Sequence, residues 1–425
     1  KMQRLAGSLR RFSTASKVWP RLKAAQVSRA GLNLVWSDGK SRTFNFDWLF
    51  RNRPENIIET GQNAMDPLEH PPLGHESYNA VVTNDGASLK FKWGTEKESL
   101  FDANWLVRFA QPDIAQNQVD GRVVPIPIRT TKGKQDIARI SWQEIQNDVG
   151  TLKWLEIINR DGLCIVTDVP TKPKMVHEVA RRIGPVMNTI YGELFDVEAV
   201  PDPINIAYSP LPLSLHQDLA YYESPPGMQL LHCLRFDESV RGGESTFADT
   251  FHIAQLLRDE DPAAFDALAR IPATFQKVHY ARARPVHLVY RRPHIVLNNR
   301  SEVVAAFWAP PFEGPLQASE ADTAAYEAAY RKFARITESE QVRLATRLKP
   351  GDTVIFNNRR MLHGRAAFDA GGGVRHLQGC YLGMEDYLLR LQVLRNTAGQ
   401  DKPESVRPDA LWTVPPVRVG NQDWH

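Results

Sequence analysis

The sequence predicts a mainly β chain with helices. Its larger part reads as a double-stranded β-helix, a distorted jelly roll with helices packed outside, behind a small N-terminal β domain. Three observations predict this. Short runs near the start alternate apolar and polar residues, as in Leu32-Asn33-Leu34-Val35-Trp36, Thr43-Phe44-Asn45-Phe46-Asp47-Trp48 and Ser88-Leu89-Lys90-Phe91-Lys92-Trp93, which is the period of a half-buried strand. From Asn205 onward, β-like runs recur at 205–208, 213–218, 228–235, 245–248, 295–297, 303–308, 353–357 and 374–382. Helical insertions near 250–269 and 319–336 interrupt them, and strands with long interruptions suit a jelly roll.

In chain order, residues 1–23 come first. Eight of the 52 lysines and arginines lie in the first 30 positions, and no acid precedes Asp38. An acid-free, Arg-rich, Ser-containing stretch predicts a mitochondrial transit peptide and hence a mitochondrial protein. The alternatives are a basic helical extension packed on a cytoplasmic one. Residues 24–110 are the small β domain, with 54–80 read as loop because Pro, Asn, Gly and His crowd it. Residues 111–140 read as a linker. The larger body is 141–396. It opens on Ser141-Trp142-Gln143-Glu144, a capping box ahead of Ile145, Val149, Leu152 and Leu155 at helical spacing. Gly162 stops that helix, Leu163 to Val166 is a buried strand, and Met175 to Ile183 is a second helix ended by Gly184-Pro185. Residues 397–425 are a polar, Pro-rich tail.

Composition narrows the function. A chain of 425 residues with 42% hydrophobic content can bury a large core. The net charge is +3, with no basic stripe interleaved with aromatics, which argues against a nucleic-acid partner. The longest apolar runs are too short to cross a membrane as a helix. Cys164, Cys233 and Cys380 are widely spaced within β-like runs and read as buried thiols rather than a disulfide framework.

The chemistry is carried by Ser214-Leu215-His216-Gln217-Asp218. On a strand, residues two apart share a face, so His216 and Asp218 can reach one point. An imidazole and a carboxylate begin a facial site for Fe(II), which needs one more histidine. His363, downstream of the β run Thr353 to Asn357, supplies it. Arg375 follows on the next β run, where its planar guanidinium can grip a carboxylate with two prongs. These four residues are the parts of an iron and 2-oxoglutarate oxygenase, acting with O2 on a small molecule. Among the other histidines, His232 and His376 follow strand periodicity and read as structural. His279, His287 and His294 flank Arg- and Pro-rich stretches and read as surface residues.

Further motifs surround these parts. They are Tyr221-Tyr222-Glu223-Ser224-Pro225-Pro226-Gly227-Met228-Gln229-Leu230-Leu231-His232-Cys233, then Gly242-Gly243-Glu244-Ser245, Lys349-Pro350-Gly351-Asp352, Asn358 through Arg365, and Arg375-His376-Leu377-Gln378-Gly379-Cys380-Tyr381. Together they resemble the gamma-butyrobetaine dioxygenase and trimethyllysine dioxygenase family of TauD-like oxygenases, nearer the gamma-butyrobetaine branch, over residues 24 to 396. The resemblance implies Fe(II) and 2-oxoglutarate with ascorbate as reductant, and a homodimer. It places Leu231 and Asn205 beside the keto acid and substrate. It places Tyr191, Phe195, Tyr208 and Tyr381 where the family builds an aromatic cage around a trimethylammonium group, which cation–π attraction explains.

The chain departs from the family in three places. The stretch Trp48 to Asn56, which in the family carries cysteines for a zinc ion, has none here, and Lys97 stands at the matching histidine, so no zinc is expected. His70 and His75 read as solvated loop residues. Ala305-Ala306-Phe307-Trp308-Ala309-Pro310-Pro311-Phe312 replaces an Asn-rich run, and Phe195 stands where a tryptophan is usual. Two alternatives therefore stay open. One is the same chemistry on an unrelated small molecule of specialised metabolism. The other is a non-catalytic jelly-roll binding protein, against which the joint presence of His216, Asp218 and Arg375 argues.

Overall fold

The computed structural model describes residues 20–58, 62–72, 74–95, 97–110, 136–198 and 210–398. The transit-peptide stretch before residue 20, most of the linker, the polar tail, Asn205 and Tyr208 lie outside the described residues. The described chain forms two compact units, one ending at residue 110 and the other running from 136 to 398. None of the described helices is long and apolar enough to cross a membrane.

The first unit holds two three-stranded antiparallel sheets. One is formed by Leu22–Ser28, Gly31–Trp36 and Ser41–Phe44, the other by Asn79–Thr83, Ser88–Trp93 and Lys97–Asp102. The alternation seen in the sequence decides which faces are buried. Leu32, Leu34 and Trp36 on one strand and Leu89, Phe91 and Trp93 on another all enter one apolar cluster, because side chains two apart share a face. The interval 54–80 is not all loop. It holds two 3-10 turns, Pro54–Asn56 and His75–Ser77, and the start of the strand Asn79–Thr83. Side-chain bonds tie this region of the unit together. The buried Asn56 amide donates to the Phe50 and Arg51 carbonyls at 3.2 and 2.9 Å. Glu69 bridges Arg53 and Lys97, at 3.0 Å to each.

The second unit is the jelly roll. Its six-stranded sheet runs Arg139–Ser141, Leu163–Thr167, Thr353–Asn357, Met228–Phe236, Arg375–Leu382, Phe195–Glu198. Its four-stranded sheet runs Leu213–His216, Met361–Arg365, Ser245–Asp249, Leu344–Thr346. All neighbours pair antiparallel except the first pair of the larger sheet. The strand Met228–Phe236 shows how burial on both sides is divided. Met228 and Leu230 join the cluster under the outer helices, while Leu231 and Cys233 join the cluster that also holds Phe247 of the smaller sheet and Phe356 of the larger. Phe247 and Phe356 meet edge to face with centroids 5.6 Å apart, a geometry worth about 0.5–1.5 kcal/mol beyond area burial.

Helices Asp148–Asp161, Met175–Arg181 and Met384–Thr397 cover the outer face of the six-stranded sheet. Helices Thr250–Glu260, Pro262–Arg270 and Glu320–Thr337 pack together in a second cluster. The predicted capping box forms, with Ser141 and Glu144 bonding reciprocally at 3.1–3.2 Å. It caps only a 3-10 turn, Glu144–Gln146. The α-helix starts at Asp148, where Asn147 accepts the Gly150 N–H at 2.9 Å and supplies a second cap. The hairpin of Ala273–His279 with Val286–Arg292 lies outside the β runs expected from the sequence.

Candidate active site

The smaller sheet makes the geometry. Strands Leu213–His216 and Met361–Arg365 pair antiparallel with His216 directly opposite His363, and the two imidazole centroids lie 4.4 Å apart. Gly364 permits this approach, since a Cβ there would lie 2.6 Å from the Leu213 carbonyl oxygen. Asp218 is not on the strand, which ends at His216. The carboxylate reaches the imidazoles through the following turn, where Leu219 takes a left-handed φ of 58°. Strand periodicity was therefore the wrong reason for a correct juxtaposition. Asp218 Oδ1 lies 3.3 Å from His216 Nε2, and Oδ2 lies 3.7 Å from His363 Nε2. One ligand atom from each residue lies within 4.8 Å of the others.

The donor set fits a divalent metal ion. His216 Nδ1 is 2.9 Å from the Ser214 carbonyl oxygen. A carbonyl only accepts, so Nδ1 carries the proton and Nε2 keeps its lone pair for a ligand. Burial above all pushes His363 down to about 3, so its imidazole is neutral and able to coordinate. Burial opposes ionisation of Asp218. Its close neighbours His216 and His363 and the hydrogen bond from the Tyr381 hydroxyl outweigh it and hold the carboxyl below its ordinary range.

Asp218 is fixed by partners from distant parts of the chain. The Gln229 amide and the Tyr381 hydroxyl both donate to Oδ2, each at 2.8 Å. Asn358 accepts the Asp218 N–H at 3.1 Å and donates back to its carbonyl at 3.0 Å. On its other side, the Gln217 N–H donates to the Trp308 carbonyl and the Trp308 N–H to Gln217 Oε1, both at 2.8 Å. Gln229 and Asn358 were not singled out in the sequence. A glutamine inside the apolar run Met228 to Cys233 is the signal that could have found the first.

Arg375 sits on the same face of its strand as Leu377 and Tyr381, all three lining the cavity that holds the His–Asp–His group. The span from Arg375 to Tyr381 is about 20 Å at the strand rise per residue. One strand therefore carries a guanidinium at one end of the cavity and an aromatic ring at the other. Arg375 is buried, and its Nε donates to the Gly243 carbonyl at 3.2 Å. Burial, with Arg365 nearby, lowers it to about 10, still charged at neutral pH. Among the described residues its guanidinium makes no ion pair with a carboxylate. Arg365 lines the cavity beside it.

At the aromatic end, Phe195 stacks on Tyr381 with centroids 5.0 Å apart and planes 24° apart, and Tyr191 is 6.2 Å from Phe195. Gly379 makes room for the stack, since a Cβ there would lie 2.4 Å from Phe195 Cζ. All eight predicted site residues that are described, His216, Asp218, His363, Arg375, Leu231, Tyr191, Phe195 and Tyr381, line this one cavity. From the run that departs from the family, Pro311 and Phe312 line it too. His232 is buried and bonded to Thr353 and the Pro170 carbonyl, and His376 pairs with Asp196 at 2.7 Å, away from the site. His294 corrects the sequence reading. It is 1% exposed, its Nδ1 donates to the Phe307 carbonyl at 2.6 Å, and its Nε2 meets the Tyr326 hydroxyl at 2.7 Å. The core around Phe275 and Trp308 encloses it, which its Pro- and Arg-rich flanks did not reveal.

Comparison with known proteins agrees with this geometry. Residues 128–381 match the family described as "Taurine catabolism dioxygenase TauD, TfdA family". The chain is 32% identical over 389 residues to a gamma-butyrobetaine dioxygenase of Pseudomonas sp. (strain AK-1), covering 90% of this chain and 98% of that one. It is 31% identical over 370 residues to Dioxygenase str8 of Strobilurus tenacellus, covering 83% and 84%. With the mitochondrial trimethyllysine dioxygenase of Rattus norvegicus it shares 26% identity over 328 residues, 74% of each chain. The chain belongs to the TauD, TfdA dioxygenase family, and with that membership it is an Fe(II)- and 2-oxoglutarate-dependent dioxygenase.

Proposed function

We propose that the protein hydroxylates a small zwitterion bearing a trimethylammonium group, gamma-butyrobetaine or a near relative. In this reading His216, Asp218 and His363 hold the iron, Arg375 takes the far carboxylate of 2-oxoglutarate, and Tyr191, Phe195 and Tyr381 receive the ammonium. Bound iron supplies the oxidising power that couples decarboxylation of 2-oxoglutarate to succinate with oxygenation of a substrate C–H bond. The protein's part is placement. Arg375 offers a two-pronged, buried donor to a carboxylate, Leu231 and Leu377 keep water from the keto acid, and the aromatic faces attract a cation that has no hydrogen bond to offer.

The observation that carries the reading is the single strand Arg375–Leu382, which puts a buried guanidinium and a stacked aromatic pair at opposite ends of the cavity that holds the His–Asp–His group. The names of the Pseudomonas and Rattus relatives support a trimethylammonium substrate. The acid-free, Arg-rich stretch before Asp38 supports action in the mitochondrion. One observation favours a different tail on the substrate: Pro311 and Phe312 give the cavity an apolar wall.

The test is succinate release by protein supplied with Fe(II), 2-oxoglutarate and ascorbate. Gamma-butyrobetaine should stimulate it, the isostere with tert-butyl in place of trimethylammonium should do so far less, and His216→Ala should abolish it. Equal stimulation by the two ligands would show that shape alone is read.

A further inference from the structure

The sequence carries two Arg-Arg pairs far apart in the chain, Arg291-Arg292 and Arg359-Arg360, and the fold brings them to one wall. They line a second cavity of about 580 Å3, which shares no lining residue with the cavity that holds the His–Asp–His group. Arg291 and Arg292 end the hairpin strand Val286–Arg292, and Arg359 and Arg360 follow the strand Thr353–Asn357. Arg360 is answered by Asp249, at 3.1 and 2.7 Å. Arg292 has no such partner. It is 9% exposed, and its guanidinium lies over two aromatic rings, with Cζ 4.3 Å from the centroid of Tyr290 and 4.4 Å from that of Phe307. Its Nη2 donates to the Tyr222 and Glu223 carbonyls. Among the described residues no acceptor meets its Nε or Nη1, and no carboxylate pairs with it.

A buried guanidinium without a counter-ion is unfavourable, and aromatic faces offset only part of that. Burial above all lowers Arg292 to about 10, so it keeps its charge at neutral pH. An anion entering the cavity would meet donors that the protein leaves open, in the forked geometry a guanidinium offers to carboxylate and phosphate. Arg291, exposed and without an ion pair among the described residues, adds to the same positive field. Among the described residues the one acid in the wall is Glu385, and it is exposed. Much of the remaining wall is apolar, including Phe251, Val296, Val304, Met384 and Leu388. The volume falls within the range of small-molecule pockets, roughly 300–1,000 Å3. A charged corner set in apolar walls suits a ligand divided in the same way.

We propose that this cavity is a second ligand site, separate from the iron centre, that binds a small anion on an apolar body, such as an aryl or acyl phosphate or carboxylate. Arg292 holds the anionic group, and the apolar wall takes the rest. The site does not depend on which substrate the iron centre oxidises.

The test is calorimetry on the full chain, with Mn(II) and 2-oxoglutarate filling the first cavity. Three probes are compared: phenyl phosphate, inorganic phosphate for the charge alone, and phenol for the body alone. Phenyl phosphate should bind more tightly than either by about tenfold or more. Arg292→Lys keeps a charge but loses the fork, and should weaken phenyl phosphate by about tenfold. Because Arg292 also holds the Tyr222 and Glu223 carbonyls, a second variant leaves every arginine in place. Val304→Trp fills the cavity and should weaken phenyl phosphate as much, while Mn(II) and 2-oxoglutarate bind as they do to the wild type. Arg375→Met, in the first cavity, should change phenyl phosphate affinity by less than about twofold. Phenyl phosphate that binds no better than inorganic phosphate overturns the proposal. So does an affinity that survives Arg292→Lys or Val304→Trp, or one that falls with Arg375→Met.

Discussion

Replacing Tyr381 by phenylalanine removes one oxygen and leaves the ring, so it separates two jobs that one side chain performs. The hydroxyl donates to Asp218 Oδ2 at 2.8 Å and the ring stacks on Phe195 at 5.0 Å. A hydrogen bond to a charged group contributes about 1.5–3 kcal/mol. Gln229 still holds the same oxygen at 2.8 Å, so the carboxylate does not swing free. Loss of a bond to a metal-ligating group weakens metal affinity by about 10- to 100-fold, or about 1.4–2.7 kcal/mol, and the two figures agree. Tyr381→Phe should therefore weaken Mn(II) binding about tenfold, while gamma-butyrobetaine affinity at saturating metal changes by less than about threefold, because the cation meets the ring face and not the hydroxyl. Metal titration followed by electron paramagnetic resonance measures the first quantity, and calorimetry the second. Unchanged metal affinity with a tenfold weaker substrate would refute the reasoning, since the hydroxyl would then serve the substrate and not Asp218.

Arg375→Lys keeps a charge but loses the planar fork; the KM for 2-oxoglutarate should rise at least tenfold with little change for the prime substrate, and an unchanged KM would move the anchor to Arg365. Gly379→Ala puts a methyl 2.4 Å from Phe195 Cζ, an overpacking that costs about 1–3 kcal/mol; the thermal midpoint should fall and prime-substrate KM rise together, and a normal KM would mean that Phe195 does not touch substrate. Burial holds His294 neutral, moving it from 6.5 to about 4. Between those values the unfolded chain takes up a proton that the folded one refuses, so the contribution is whole above pH 6.5 and fades as pH falls to about 4, by about 3 kcal/mol in all. Denaturant titrations from pH 7 to 4 should show the decline, and His294→Gln should flatten that part of the curve.

Much of the site was legible because it is written in short motifs. His216, Asp218, His363 and Arg375 are each marked by their neighbours, and the turn at Pro350-Gly351-Asp352 places the strand that leads to the second histidine. The alternation in Leu32 to Trp36 and Ser88 to Trp93 decided which sides of the N-terminal sheets are buried. These are local properties: the period of a pleated backbone and the chemistry of one residue type.

What only the tertiary structure decided depends on contacts between residues far apart in the chain. Asn358 reaches Asp218 across 140 positions and Tyr381 across 163, and no spacing rule pairs residues at such distances. His294 lies among prolines and arginines in sequence, yet its burial is set by Phe275, Trp308 and Tyr326 folding over it. The capping box formed where the sequence put it, but the helix waited for Asn147, because which of two adjacent caps starts the helix depends on how the chain joins the sheet.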